Sequence, residues 1–340
     1  MKKQALNILK FIFFLGLGVL LVWLAIKDKS QAELQSIKMA LKQADYSWIA
    51  LSFLVSALSH YFRSLRWKIL LAPLGHHPKT SNTLFSVMVG YLANLALPRL
   101  GEVTRCGMMN QYEKVPFTEG FGTVIAERAL DLICLILIFF ITLFIEFSKI
   151  YGISNDLIFK TVSDKCALLF QQKQFLILAL VGGITLTSIF FYFRKRLQVI
   201  LSSKIKGFVN GLWQGLLSVK NVKQPGWFIV NTVLIWLMYI LQVYVCFFAL
   251  PETSSLSFVV AMVIMVFGSI GIIVVPGGTG AYQAIVIQIL TTVYLISDTS
   301  AFAFAWTVWS SQIIMILVLG LISLLLLPLL NKKKEIPSDQ

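Results

Sequence analysis

The sequence predicts an all-α, polytopic membrane protein with about six full spans, two re-entrant hairpins and an internal inverted repeat. Three observations carry that prediction. First, of 340 residues 58% are hydrophobic and only 13% charged, whereas soluble domains carry about 25% charged residues; mean hydropathy is +0.83. Second, apolar runs near or above ~18 residues recur along the chain, long enough to cross a ~30 Å hydrocarbon core as helices. Third, basic residues sit in short connecting stretches, and no Lys, Arg or His lies between Gln224 and Asn331. The net charge of +14 is therefore unevenly spread: the absence of basic residues from that stretch argues against a nucleic-acid surface, and the excess in short loops sets orientation in a bilayer.

Residues 8–26 form the first expected span, with Lys2, Lys3 and Lys10 holding its start in the cytoplasm. Its apolar core is long for a signal peptide, and no small-x-small cleavage site follows. Residues 27–46 place Leu34, Ile37 and Leu41, followed by Trp48, at helical spacing, the pattern of an amphipathic helix on the outer interface. Residues 48–71 are the second span. Arg63, Arg66, Lys68 and Lys79, with no acid among them, put its end in the cytoplasm. Arg63 and Lys68 are expected to snorkel to the headgroups; Arg66 faces either the headgroups or the bundle.

Residues 81–97 are apolar but short and stop at Pro98-Arg99, and 119–147 form a long helix. With the 148–173 loop outside, an odd number of crossings is needed. One full helix plus a re-entrant hairpin over about 81–115 satisfies this; three full spans is the alternative. Residues 175–193 are the fourth span, and the stretch from Arg194 to Lys223 carries seven basic residues and no acid. Within it Leu197, Leu201, Ile205, Phe208, Leu212 and Leu216 mark an amphipathic surface helix. Residues 227–250 are the fifth span. Apolar 257–275 is broken by Pro276-Gly-Gly-Thr-Gly280 before 284–295 resumes, a second hairpin. Residues 302–330 are the sixth span, ending at Lys332-Lys-Lys334. Both termini are thus expected in the cytoplasm. The chain reads as one membrane domain over 1–340, with halves of roughly 1–150 and 170–330 in matching order and opposite orientation. Many secondary transporters are built this way, with discontinuous helices meeting at a midplane site.

The candidate site is a set of ionisable residues in this greasy background. Arg99, Glu102 and Arg105 follow one another at i,i+3, so they share a helical face. They form either a self-neutralising ladder or a guanidinium pair for a phosphate, which Arg binds bidentately. Glu127, Arg128 and Asp131 lie some ~12–18 Å into the helix that follows, near mid-membrane. An unpaired charge there costs at least ~2.5–3.5 kcal/mol. These residues are therefore either a structural network or a functional one, exchanging protons or releasing an anion held by the arginines. Arg66 joins the candidates, as do Asn94 and the glycines Gly277, Gly278 and Gly280, which let backbone approach a ligand. No nucleophile or metal set accompanies the carboxylates, so neither an enzyme nor a cofactor is expected. Four single cysteines and three histidines show no ligand spacing.

Arg63-Ser-Leu-Arg-Trp67, Asn94-Leu-Ala-Leu-Pro-Arg-Leu-Gly-Glu102, Arg105, Glu127-Arg-Ala-Leu-Asp131 and Pro276-Gly-Gly-Thr-Gly280 together resemble the lysylphosphatidylglycerol synthase transmembrane (flippase-like) family. The resemblance runs across nearly the whole chain. It implies movement of an anionic phospholipid or polyprenyl-phosphate-linked lipid between leaflets of a bacterial cytoplasmic membrane. No hydrophilic domain follows Lys334, so aminoacyl transfer is not expected. The family often carries a Glu after the glycine stretch, where this chain has Gln283. Membrane lipids are the expected partners, with a second copy of the chain or an envelope-biosynthesis enzyme as further candidates. The alternatives to a transporter are a lipid-binding partner of such an enzyme, or an intramembrane lipid-modifying enzyme.

Overall fold

The computed structural model describes residues 31–96, 99–146 and 203–331. The expected spans over 8–26 and 175–193, the 148–173 loop and the Lys332-Lys-Lys334 terminus lie outside the described residues. Within them the chain is all helical: α1 (Gln31–Gln43), α2 (Tyr46–Leu71), α3 (Thr80–Ala96), α4 (Leu100–Glu113), α5 (Phe117–Ile145), α6 (Ser203–Leu217), α7 (Pro225–Phe247), α8 (Phe258–Val274), α9 (Ala281–Thr292) and α10 (Asp298–Leu330). Among the described residues, α5, α7 and α10 are long and apolar enough to cross a membrane, while α8 and α9 are apolar but short.

Helix α2 has the length of a span at 26 residues, and its amphipathicity is inside out. Ser52, Ser56, Ser59, His60, Arg63, Ser64 and Arg66 are buried, while Leu51, Leu54, Leu58 and Tyr61 are exposed. That inversion suits a lipid solvent, because polar side chains must find partners within the bundle. Asp45 starts the helix by accepting from the Ser47 amide at 2.9 Å. The same exposed apolar stripe recurs on α5 (Leu132, Ile136, Phe140, Phe144) and α10 (Ile314, Leu321, Leu325).

The ends of the helices sort into two levels. At one, the Lys79 amide and the Asn82 side chain donate to Glu113, closing the base of the α3–α4 hairpin, and Asn82 and Asn331 exchange amide hydrogen bonds at 2.9 and 2.8 Å. Lys68 reaches Thr80 at this level, and His76 meets Glu119 at the start of α5. At the other, the Asp45 amide donates to Ala249 at the end of α7, and Ser297 at the start of α10 donates to Glu252. The α8–α9 pair begins and ends there. The two hairpins therefore enter from opposite ends of the bundle.

Their tips meet. At the α3–α4 tip Arg99 turns the chain with φ 62°, a left-handed conformation uncommon for a residue with a Cβ, and Asn94 Oδ1 accepts from the Gly101 amide at 2.7 Å. Between α8 and α9, Gly277, Gly278 and Gly280 hold φ of 67°, 70° and 77°, which glycine adopts without steric cost. Leu95 lies against Gly277, 3.7 Å from where a Cβ would stand, and Trp309 Nε1 donates to the Gly277 carbonyl at 2.7 Å. Hairpins of opposite entry meeting at their breaks are what an inverted repeat requires.

Two expectations are corrected. Arg63 does not snorkel: it is 2% exposed, because α2 turns its polar face onto α5. The described part of the 197–216 segment does not lie alone on the interface either. Helix α6 packs on the first turns of α5, where Gly211 and Gly215 fit against Thr118 and Gly122 so closely that a Cβ at any of the glycines would collide. Small residues at this spacing let two backbones approach in a bilayer.

Candidate functional site

The site lies where α2, α4 and α5 converge, between two apolar clusters. One gathers Trp67, Leu70, Leu71, Val87, Met109 and Val124; the other is built around Ile240, Val243, Phe247, Ile264, Val286, Phe304 and Val308. Glu127 sits ten residues after Phe117, about 15 Å along α5, and is fully buried.

Three arginines converge on two carboxylates. Arg63 Nη1 donates to Glu127 Oε1 and, at 2.7 Å, to Asp131 Oδ2. Arg66 Nη2 donates to Asp131 Oδ1 at 2.6 Å and stands 3.4 Å from Glu127 Oε1. Arg105 Nη2 donates to Glu127 Oε2 at 2.9 Å. Two of the guanidiniums, those of Arg63 and Arg105, are further held in place. Arg63 Nη2 donates to the Tyr239 hydroxyl at 3.0 Å. Arg105 stacks 4.5 Å from the centre of the Trp67 ring, whose Nε1 donates to Thr123 at 2.9 Å. Beside this knot, Arg128 pairs with Glu102 at 3.2 Å, and its side chain keeps 39% of its surface exposed. Four arginines thus meet three carboxylates, leaving one formal positive charge.

The excess charge borders a cavity of about 340 Å³ lined by Arg63, Arg128 and Asp131 on one side and by Gln242, Tyr282 and Gln312 on others. Exposed Leu132, Ile272 and Ile273 are also part of its lining. The exposed edge of the cavity therefore lies between Leu132 on α5 and Ile272 and Ile273 on α8. It reaches residues on both sides of the α8–α9 break, namely Ile272, Ile273 and Tyr282, but not Gly277–Gly280 themselves.

The expected site residues divide accordingly. Arg66, Glu102, Arg105, Glu127, Arg128 and Asp131 come together. Arg99 does not join them. It stands exposed at the hairpin tip, because the helix starts only at Leu100 and the i,i+3 face shared with Glu102 and Arg105 does not extend to it. Arg105 is buried, with Nη2 on Glu127 and its guanidinium over the Trp67 ring, while Arg99 is exposed at the tip, so Arg99 and Arg105 do not form one phosphate clamp. Asn94 caps the hairpin internally, and Gly277, Gly278 and Gly280 shape the second break. Gln283 is 1% exposed, and neither side-chain polar atom has a hydrogen-bond partner among the described residues; it does not line the cavity.

Sequence reasoning missed Arg63, Tyr91, Tyr239, Gln242 and Gln312. The signal for Arg63 was present: Ser52, Ser56, Ser59, Arg63 and Arg66 recur at four, three, four and three residues, a polar stripe along one helical face. His60 belongs to the same face, buried, its ring tilted against that of Tyr91 with centroids 4.3 Å apart, and both its nitrogens lack a hydrogen-bond partner among the described residues.

A bundle with three helices long and apolar enough to cross a membrane, packed around a buried arginine–carboxylate network, defines an integral membrane protein. The chain belongs to the family described as the lysylphosphatidylglycerol synthase TM region, whose profile matches residues 7–320. It is similar to the UPF0104 membrane protein MJ1595 of Methanocaldococcus jannaschii, at 23% identity over 84% of this chain and 83% of that one. A UPF0104 membrane protein of Methanothermobacter thermautotrophicus is 27% identical over 74% of this chain and 77% of that one. A shorter likeness, 26% over 94 residues, covers 27% of this chain and 15% of the glycosyltransferase AglD of Haloferax volcanii. No solved structure matches the chain.

Proposed function

We propose that the protein moves an anionic phospholipid or polyprenyl-phosphate-linked lipid between leaflets, leaving it chemically unchanged. One observation carries the reading: a formally cationic network borders a cavity whose exposed edge is formed by the apolar side chains of Leu132, Ile272 and Ile273. A lipid phosphate entering between Leu132 and Ile273 meets Arg128, the one arginine of the network with a large exposed surface, and then Arg63. Guanidinium–phosphate hydrogen bonds are charge-assisted and strengthened where water is excluded. Glu102 and Asp131 compete for the same arginines and so return the phosphate rather than trap it. The meeting of the two hairpin tips supplies two elements of opposite entry that alternate in closing the cavity.

The reading includes a bacterial cytoplasmic membrane with both termini cytoplasmic. Lys68, Lys79, Lys114, Lys220 and Lys223 cluster at the level where α3 begins, and Glu252 and Asp298 lie at the opposite level, in keeping with the bias of cytoplasmic loops toward Lys and Arg.

The test is a leaflet-sidedness assay in proteoliposomes containing headgroup-proximal fluorescent phosphatidylglycerol and a membrane-impermeant quencher. The expected result is quenching beyond the outer-leaflet pool. Quenching no greater than in protein-free liposomes would overturn transport. The likeness to part of AglD favours a second reading, a lipid-presenting partner of a glycosyl-transfer enzyme; it gains if lipid binds the purified protein without changing leaflet.

A further inference from the structure

His60 takes no part in the ion pairs beside it. It is 1% exposed on α2, and neither ring nitrogen has a hydrogen-bond partner among the described residues. Native structures satisfy buried groups of this kind with protein, water or ligand. Its ring lies against Tyr91 of α3, which lines the cavity. The charges that bear on it are Arg63, one turn along its own helix, and Arg128 of α5. Each carboxylate of the network is engaged: Glu127 and Asp131 receive Arg63, Arg66 and Arg105, and Glu102 receives Arg128. From α7, Tyr239 accepts from Arg63, and α10 carries no charged side chain after Asp298, its first residue.

The imidazole stands in a file of similar groups. Ser56, one turn earlier on α2, and Ser86 on α3 are buried, with hydroxyls that lack a partner among the described residues. Lys68 meets Thr80 and His60 meets Tyr91, so Ser86 falls on the Thr80 side of His60, and Ser56 on the side where α2 begins. Four residues advance a helix by about 6 Å, the span of two hydrogen bonds through one water.

Building on the anionic-lipid reading, we infer that His60 is a proton site, loaded when the cavity holds an anion, so that lipid movement is coupled to protons. Without the anion, a proton on His60 adds a cation beside Arg63 and Arg128. A phosphodiester on those two arginines cancels that repulsion. One proton then passes from water, by way of Ser56 or Ser86, to a ring nitrogen, and leaves past the other hydroxyl when the phosphate departs. One anion and one proton cross together, so the loaded site carries the same net charge as the empty one.

The experiment titrates the purified full chain in detergent with phosphatidylglycerol, in weakly buffered solution at about pH 7 with a pH-indicating dye. Retained lipid is counted by native mass spectrometry. The wild-type protein is expected to take up roughly one proton per lipid bound, the linkage of a single titrating group. His60→Gln, which keeps a neutral polar side chain, is expected to bind lipid without proton uptake. A second readout leaves His60 unchanged. The chain has three histidines, so in the His76→Gln/His77→Gln protein, purified without a histidine tag, the nitrogen-15 signals of labelled histidine report His60 alone. They are expected to pass from imidazole to imidazolium on adding phosphatidylglycerol. Lipid binding without proton uptake in the wild type, uptake that persists in His60→Gln, or His60 signals unmoved by lipid overturns the proton site and leaves the anionic-lipid reading standing. Retention of no phosphatidylglycerol overturns that reading and the proton site with it.

Discussion

Glu127→Gln is expected to destabilise the detergent-solubilised protein by about 3–5 kcal/mol, the cost of breaking a buried ion pair from one side. The substitution keeps size and shape, so packing is not the cause. Glu127 is fully buried and receives Arg63 and Arg105, with Arg66 at 3.4 Å. Without its charge, Arg63 and Arg66 share Asp131 alone, and Arg105 keeps no ion pair among the described residues. Thermal unfolding of wild type and variant in the same detergent measures the loss. Pairing Glu127→Gln with Arg105→Gln is expected to recover about 1–3 kcal/mol, the range of coupling between contacting charged residues. A single-variant loss below about 1 kcal/mol would mean that the network is wet, because solvated pairs contribute no more than that.

Arg128→Gln separates function from stability. Its bond to Glu102 is partly exposed, with 39% of the arginine side-chain surface accessible, so stability is expected to change by less than about 1 kcal/mol. Lipid movement in proteoliposomes is expected to fall by about thirtyfold or more, since losing one partner of a desolvated charge pair costs about 2–5 kcal/mol. Arg99→Gln, at the exposed hairpin tip, is expected to change movement by no more than about twofold, as surface substitutions do. Loss of movement in Arg99→Gln with none in Arg128→Gln would relocate the phosphate site to the tip.

Much of this was legible in the residues, for reasons that differ by element. The spans over 117–145, 225–247 and 298–330 announce themselves because lipid-facing helices are apolar on most of their surface. Both hairpins were marked by Pro98 and by Pro276–Gly280, since broken backbone at membrane depth needs protein or a cavity against it. The acids Glu127 and Asp131 were conspicuous because charge at that depth is costly. The failures share one cause. Arg63 lies near a helix end, where a long cationic side chain either snorkels or turns inward, and only the partner across the interface decides. Arg99 matched the spacing of Glu102 and Arg105, yet the helix begins one residue later. Gln242 and Gln312 stand in apolar runs, and nothing local reveals that α7 and α10 aim them into one cavity.

The most direct measurement is an experimental density map of the protein in lipid nanodiscs containing phosphatidylglycerol. The expected result is a lipid entering between α5 and α8, with its phosphate within hydrogen-bonding distance of both Arg63 and Arg128. A cavity holding only water, with ordered lipid phosphates confined to the headgroup level or to Arg99, would contradict the role assigned to the buried arginines.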